Sequence, residues 1–194
     1  WCSRAPRRPT CRCCWPPSGE RRGEKVEELY GFLAHRIHYS LLEAALRIWN
    51  MKTGMCVRIV DSVHNASGLA FLADGALYVN TFREGGLYRV GINPDGSAGT
   101  PQRLALSQPL ERPDAMRTIG PDTLLVAEGV GKVSIVTIRG DQATVRVVRD
   151  GMTDGVAAAV LVGDVAYAVQ PKFAKMSDPA VDPGAFAVVA VPLR

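Results

Sequence analysis

Residues 67–80 read SGLAFLADGALYVN, two short apolar runs joined by a turn at Asp74-Gly75. Each run is too short for a buried helix, and Asp-Gly between apolar runs is a strong signal for a β-hairpin. The same plan returns at residues 114–127 and again at residues 155–169, each time around a turn that contains Gly and Asp. Short β-rich runs that repeat every ~40–47 residues predict the blades of a β-propeller.

The hydrophobic pattern indicates where the strands of these blades lie. Alternation over residues 132–138 and 143–148 predicts strands with one buried face. The more continuously apolar runs at residues 156–162 and 186–191 predict inner strands that are covered on both faces. Three blades over residues 65–194 leave an open side, since a complete propeller has at least four.

Length, composition and charge exclude several classes of protein. The 194 residues are 47% apolar and 22% charged, as in a soluble globular protein. No run approaches the ~20 apolar residues of a membrane-spanning helix. The net charge of +4 comes from residues 1–25, which carry +5, while residues 26–194 carry −1. The body has no basic surface for a nucleic acid, so we expect no nucleic-acid partner.

The first 23 residues differ in character from the rest. Cys2, Cys11, Cys13 and Cys14 lack the second ligand pair of a zinc site, and no apolar segment follows the charges as in a signal peptide. We interpret residues 1–23 as an unstructured tail or a mispredicted start, and we draw neither a function nor a cellular compartment from them.

Two interpretations compete for the residues that follow. Apolar residues at spacings of three and four predict an amphipathic helix over residues 24–49. Residues 46–60 also read as strand, turn, strand, and Ile48-Trp49-Asn50 with the later Lys-Thr-Gly turn resembles the last hairpin of a WD-repeat blade. We therefore assign residues 50–64 to a hairpin or a linker.

The repeats resemble a known family of propellers. The resemblance rests on Gly68-Leu69-Ala70-Phe71, Pro113-Asp114-Ala115-Met116, Leu124-Leu125-Val126-Ala127-Glu128-Gly129 and the closing Val188-Val189-Ala190-Val191-Pro192-Leu193. These look like the C-terminal half of a six-bladed propeller of the regucalcin/gluconolactonase type, also called senescence-marker-protein-like. The resemblance covers residues 65–194 and implies a truncated propeller with about three of its six blades.

The resemblance also implies a site. In that family a divalent cation, calcium or zinc, lies at the top of the central channel, held by carboxylates and Asn amides of inner strands. Asp114 matches the family's Asp, which is both a metal ligand and a candidate general base. Ser67 stands where the family has Asn, and Asn65 lies two residues earlier. The family's remaining ligands fall in blades that this sequence lacks. A turn Asp that binds local backbone amides is the alternative for Asp114.

The expected function follows from that site. The resemblance implies metal-assisted hydrolysis of a sugar lactone or similar small ester, in intact or degenerate form. The alternative is a non-catalytic propeller of the NHL- or WD-repeat type, which presents loops to a protein or a small molecule. No Gly-x-Ser-x-Gly occurs and no His follows His64, so we exclude a Ser-His-Asp hydrolase.

We expect Asn80 and Glu128 to be solvent-facing caps at strand ends, and the open blade edge near residue 65 to promote association.

Overall fold

A computed structural model describes residues 46–50, 55–60, 63–94, 97–172, 175 and 184–193. The regular structure within these residues is β-strand. No helix in this part of the chain is long and apolar enough to cross a membrane. The predicted tail, and the predicted helix as far as residue 45, lie outside the described residues.

The first strands form a separate hairpin. β1 (Leu46–Asn50) and β2 (Met55–Val60) pair antiparallel, with Asn50 opposite Met55. The last residues assigned to the helix therefore form a strand, in agreement with the competing strand-turn-strand interpretation. The sequence between these strands includes Gly54, a residue type that disfavours a continued helix.

Three sheets follow, one for each predicted repeat, and their strands pair antiparallel except where β7 joins the second sheet. The first blade is β3 (Ala66–Phe71), β4 (Leu77–Thr81), β5 (Gly86–Val90) and β6 (Gln102–Arg103) in that order. The second blade has the order β7-β11-β10-β9-β8, and the third has the order β12-β13-β14. The strands of the second blade are β7 (Ala105–Leu106), β8 (Pro113–Gly120), β9 (Thr123–Glu128), β10 (Lys132–Arg139) and β11 (Gln142–Arg149); those of the third are β12 (Ala158–Val162), β13 (Val165–Gln170) and β14 (Ala187–Pro192).

The blades pack face to face through two apolar cores. One core joins the first and second blades around Tyr78, Leu87, Met116 and Val126. The other joins the second and third blades around Leu125, Val133, Ala166 and Val191. β8 packs against both β3 and β12, so the inner strands of the three blades stand side by side. This is the all-β propeller arrangement that the repeats predict.

The connection between the first two blades covers an exposed edge. β7 pairs in parallel with β11, the outermost long strand of the second blade. Ser107 extends this pairing, since its N–H donates to the carbonyl of Ala143 and its Oγ accepts from the N–H of Val145. The linker thereby satisfies backbone groups that an edge strand would present to other chains.

One strand lies elsewhere than the sequence predicts. The run at residues 186–191 is not an inner strand, because β14 is the third strand of its blade and pairs only with β13 among the described strands. A continuous apolar run indicates that both faces are apolar, and it carries no information about a strand's position in the sheet.

The inner strands of the first two blades approach each other most closely at Gly68. A Cβ built on Gly68 would lie 2.4 Å from the carbonyl oxygen of Asp114 and 2.8 Å from the backbone nitrogen of Met116. At the other end of the same strands, Thr118 Oγ1 donates to the carbonyl of Phe71 over 2.6 Å. Only glycine permits this spacing at residue 68, because the neighbouring atoms belong to backbone.

We expect Gly68→Ala to lower the free energy of unfolding by at least about 2 kcal/mol, because the added methyl forces β3 away from β8. Gly91→Ala is the matched control, since a Cβ there meets nothing within 4 Å. Its stability should stay within about 1 kcal/mol of wild type. Chemical denaturation of both variants measures the change. Equal losses of unfolding free energy in the two variants would contradict the close approach of β3 to β8.

Candidate functional site

Asp114 lies where the first two blades meet. It is the second residue of β8 and is half-buried beside the start of β3. Ser67 Oγ donates a hydrogen bond to Asp114 Oδ1 over 3.0 Å. Two residues 47 positions apart are thus brought into direct contact, and both belong to the set chosen from the sequence.

Asn80 holds the backbone at this junction. It ends the apolar run of β4 and is fully buried. Its Oδ1 accepts from the N–H of Gly68 over 2.6 Å, and its Nδ2 donates to the carbonyl oxygen of Asp114 over 3.1 Å. The expectation that Asn80 is a solvent-facing cap is therefore wrong. One amide satisfies two backbone groups on two blades, which a cap at a strand end does not do.

Glu128 ends the second strand of the second blade and is also buried. Its carboxylate accepts from the backbone N–H of Glu111 and from Ser134 Oγ, each over 2.5 Å. Glu111 in turn pairs with Lys132 across the same turn. The prediction of a solvent-facing cap is wrong here too, because the local donors draw the carboxylate inward.

The third blade meets the same region through the backbone. The N–H of Ala115 donates to the carbonyl of Ala157, just before β12, over 3.3 Å. The two residues that follow Asp114 on β8 thus contact opposite blades, since Met116 packs into the core with the first blade. Its side chain lies at the end of the inner strands where β3, β8 and β12 begin.

The surroundings of Asp114 disfavour its charge. Burial raises the pKa of this carboxyl, and the hydrogen bond from Ser67 offsets part of the rise. A carboxylate with a raised pKa is a stronger proton acceptor than one in water, which is the property a general base needs.

The fold was compared with known proteins. No protein-family model matches the sequence, and a search of curated proteins finds no match. Among solved structures, a gluconolactonase of Xanthomonas campestris is 19% identical, with a TM-score of 0.50 over 64% of this chain and 40% of its own. A luciferin-regenerating enzyme is 14% identical, with a TM-score of 0.58 over 75% of this chain and 50% of its own. The chain folds like a gluconolactonase-type propeller. It spans half or less of the length of these two structures.

Asn65, the third residue predicted to hold the cation, lies immediately before β3. It adopts a left-handed conformation with φ of 55° and turns the chain into β3. Its carbonyl accepts from the N–H of Phe82 over 2.9 Å. Asn tolerates this conformation better than most residues, which gives Asn65 a backbone role at the strand entry.

The described residues supply only part of a metal shell. Within them, no three His, Cys, Asp or Glu side chains come close enough to hold a metal ion. Asp114 and Ser67 provide a carboxylate and a hydroxyl, while both polar atoms of Asn80 are already bonded to backbone. This all-oxygen pair suits a hard cation that keeps several waters, and calcium fits it better than zinc.

A wide cleft in the described part of the chain does not coincide with Asp114. It has a volume of about 670 Å³ and is lined by Ala73, Arg117, Gly120 and Val160 among others. It opens at the far end of β8, so the length of the strand separates it from Asp114. A second cleft of about 430 Å³ lies between the first two blades at the Asp74–Arg89 ion pair.

We expect Asn80→Ala to cost about 2–4 kcal/mol of folding free energy, because the N–H of Gly68 and the carbonyl of Asp114 lose their partner beside a new cavity. Asn93→Ala is the control, since Asn93 makes one exposed side-chain bond to Ser97. That change should stay within about 0.5 kcal/mol of wild type. Urea unfolding measures both, and an Asn80 variant as stable as the control would contradict the bridging role.

The raised pKa of Asp114 predicts a pH-dependent stability. A folded-state pKa above the ordinary value of 3.8 means that the charged carboxylate is less favourable in the folded protein than in the unfolded chain. Asp114→Asn should therefore raise the Tm at pH 7. The difference in Tm between Asp114→Asn and wild type should shrink as the pH falls through the folded-state pKa towards 3.8. The wild-type carboxyl then becomes neutral, as the Asn side chain already is. Thermal unfolding between pH 7 and pH 4 tests this, and a gap that widens in acid would contradict it.

Proposed function

We propose that the chain carries the site of a lactonase-type hydrolase, with Asp114 as the general base and a small sugar lactone or similar ester as the substrate. The observation that carries the proposal is the half-buried carboxyl of Asp114 at the junction of three inner strands, with a raised pKa. Ser67 Oγ binds one carboxylate oxygen, Oδ1, and so orients the group. Asn80 fixes the backbone that bears it.

The proposed reaction opens the ester ring with water. Asp114 accepts a proton from the water as its oxygen bonds to the carbonyl carbon of the lactone. The ring carbon–oxygen bond then breaks, and the leaving alkoxide takes that proton back from Asp114, which gives the open hydroxy acid and restores the carboxylate. Oδ2 is the oxygen we assign to proton transfer, since Oδ1 is engaged by Ser67.

A divalent cation, calcium in preference to zinc, is part of this proposal. Asp114 and Ser67 are the residues that would hold it, with water or substrate oxygens completing the shell. When bound, such a cation polarises the ester carbonyl. The chain's own contribution is to place the carboxylate and to limit its access to water.

The second candidate is a non-catalytic propeller that binds a small molecule or a protein through its loops. The bond from Ser67 to Asp114 favours it, because this hydroxyl satisfies a carboxylate oxygen without any ligand. In that case Asp114 and Ser67 serve to join the first two blades.

The test is thermal unfolding with chelator and with added calcium, combined with a lactone-hydrolysis assay followed by pH-stat. Under the lactonase proposal, calcium raises the Tm of wild type, because a ligand that binds the folded state stabilises it. Calcium should not change the Tm of Asp114→Ala. Asp141→Asn, on an exposed turn, is the control and should respond as wild type does. Hydrolysis should fall at least about 100-fold in Asp114→Ala.

Ser67→Asn sharpens the distinction between the two candidates. An amide oxygen is a better ligand for a hard cation than a hydroxyl, so this variant should show a larger calcium-dependent rise in Tm. A cooperative transition that is indifferent to calcium in wild type and in Ser67→Asn, with no lactone hydrolysis, would favour the non-catalytic candidate.

A further inference from the structure

All three blades contribute to the wide cleft at the far end of β8, which we call the far-end cleft. Its walls come from the second half of β8 with Pro121, from Ala73 of the first blade, and from Val160 and Leu161 of β12. The N–H of Ala73 donates to the carbonyl of Pro121 over 3.0 Å, which ties two of these walls together. The volume of about 670 Å³ lies within the range of cavities that bind small molecules.

Arg117 gives the far-end cleft its charge. Among the described residues that line the cleft, Arg117 alone carries a charged side chain. The other lining side chains are apolar or absent except for Thr118, whose hydroxyl already donates to the carbonyl of Phe71. A hydroxyl whose proton is engaged can accept a further hydrogen bond but cannot donate one to an anion. Arg117 therefore supplies the side-chain donors at this place.

The guanidinium of Arg117 has donors to spare. It carries five N–H donors, and Nη1 donates to the carbonyl of Met116 over 2.9 Å. No carboxylate of the described residues pairs with it, and its side chain is exposed. Arg117 lies opposite Leu125 in the strand register, and Leu125 belongs to the core between the second and third blades. The cation is thus on the face of β8 that is turned toward β12.

The acidic residues closest to the far-end cleft in the sequence are engaged elsewhere. Asp74 and Asp122 line the second cleft. Asp74 pairs with Arg89, and Asp122 Oδ1 accepts a hydrogen bond from Thr123 Oγ1 over 2.8 Å. The far-end cleft therefore combines apolar walls with one positive charge that no described carboxylate neutralises.

We propose that the far-end cleft binds a small organic carboxylate with an apolar body. Arg117 binds the carboxylate, since a guanidinium and a carboxylate can form two parallel hydrogen bonds. Val160 and Leu161 contact the hydrocarbon. One cation matches a monoanion, whereas a phosphate dianion would leave one charge unpaired beside apolar walls.

The ligand of this cleft differs from the lactone proposed for Asp114. A sugar would leave most of its hydroxyls without partners against the apolar walls, which is unfavourable. The length of β8 separates the two places, because Asp114 is its second residue and the cleft begins at Arg117. The proposal is therefore independent of the proposed hydrolysis.

The experiment is isothermal titration calorimetry of the full chain with octanoate at pH 7, and with 1-octanol as the uncharged probe of the same chain length. Arg117→Met keeps an apolar stem and removes the charge. It should weaken octanoate binding at least about 10-fold, because a charge-assisted hydrogen-bonded pair is lost, and should leave octanol binding unchanged. Arg146→Met, at an exposed position on β11, is the matched control and should bind octanoate as wild type does.

Val160→Asp tests the charge from the opposite wall. Val160 is 51% exposed, so the strand tolerates a polar side chain there. The new carboxylate repels the ligand and competes for Arg117, and octanoate binding should again fall at least about 10-fold. Val147→Asp is the control, since Val147 is 37% exposed on β11, and should bind as wild type does. Circular dichroism checks that each variant is folded.

Amide NMR shifts of the wild-type chain locate the bound octanoate without any substitution. The expected changes are at Thr118, Ile119 and Leu161, which line the far-end cleft. Changes confined to Val188, which is 65% exposed on β14, would place the hydrocarbon on the outer face of the third blade and overturn the proposal. Wild type that does not bind octanoate, or Arg117→Met that binds it as wild type does, would overturn it as well.

Discussion

The described structure depends on the approach of β3 to β8 at Gly68. With no side chain at that position, two backbones come close enough for one amide, that of Asn80, to bind both. This contact holds the two inner strands together at one point. It also places Asp114, since the carbonyl that Asn80 binds belongs to that residue. The architecture and the candidate site thus share one constraint.

Two buried polar residues near the ends of second strands act in different ways. Asn80 joins two blades, whereas Glu128 binds its own turn through Glu111 and Ser134. A buried amide is neutral and offers both a donor and an acceptor, so it can bridge two backbones at little electrostatic cost. A buried carboxylate only accepts, and it is stable where several donors converge. Burial raises the pKa of Asp114, and its one such donor among the described contacts, Ser67 Oγ, offsets only part of the rise.

A propeller blade is stable only when both faces are covered, because strands with two apolar faces leave neither face to water. The second blade meets this condition within the chain, and the third meets it on one face alone. Asp114 lies on β8, and the strands beside it, β3 and β12, belong to blades that keep exposed apolar residues.

The sequence by itself determined the class of fold, the three blades and most strand positions, because alternation and Gly-Asp turns are local properties of a chain. It also singled out Asp114 and Ser67, through their resemblance to a known family, though not the bond between them. It misassigned Asn80 and Glu128 as caps and residues 186–191 as an inner strand. Only the tertiary structure decided these points, because the partners are distant: Asn80 meets Asp114 across 34 residues, and Ser67 meets it across 47. A periodic pattern shows which face of a strand is apolar. It does not show which other strand packs against that face, or which residue a polar side chain at the end of the strand will bind.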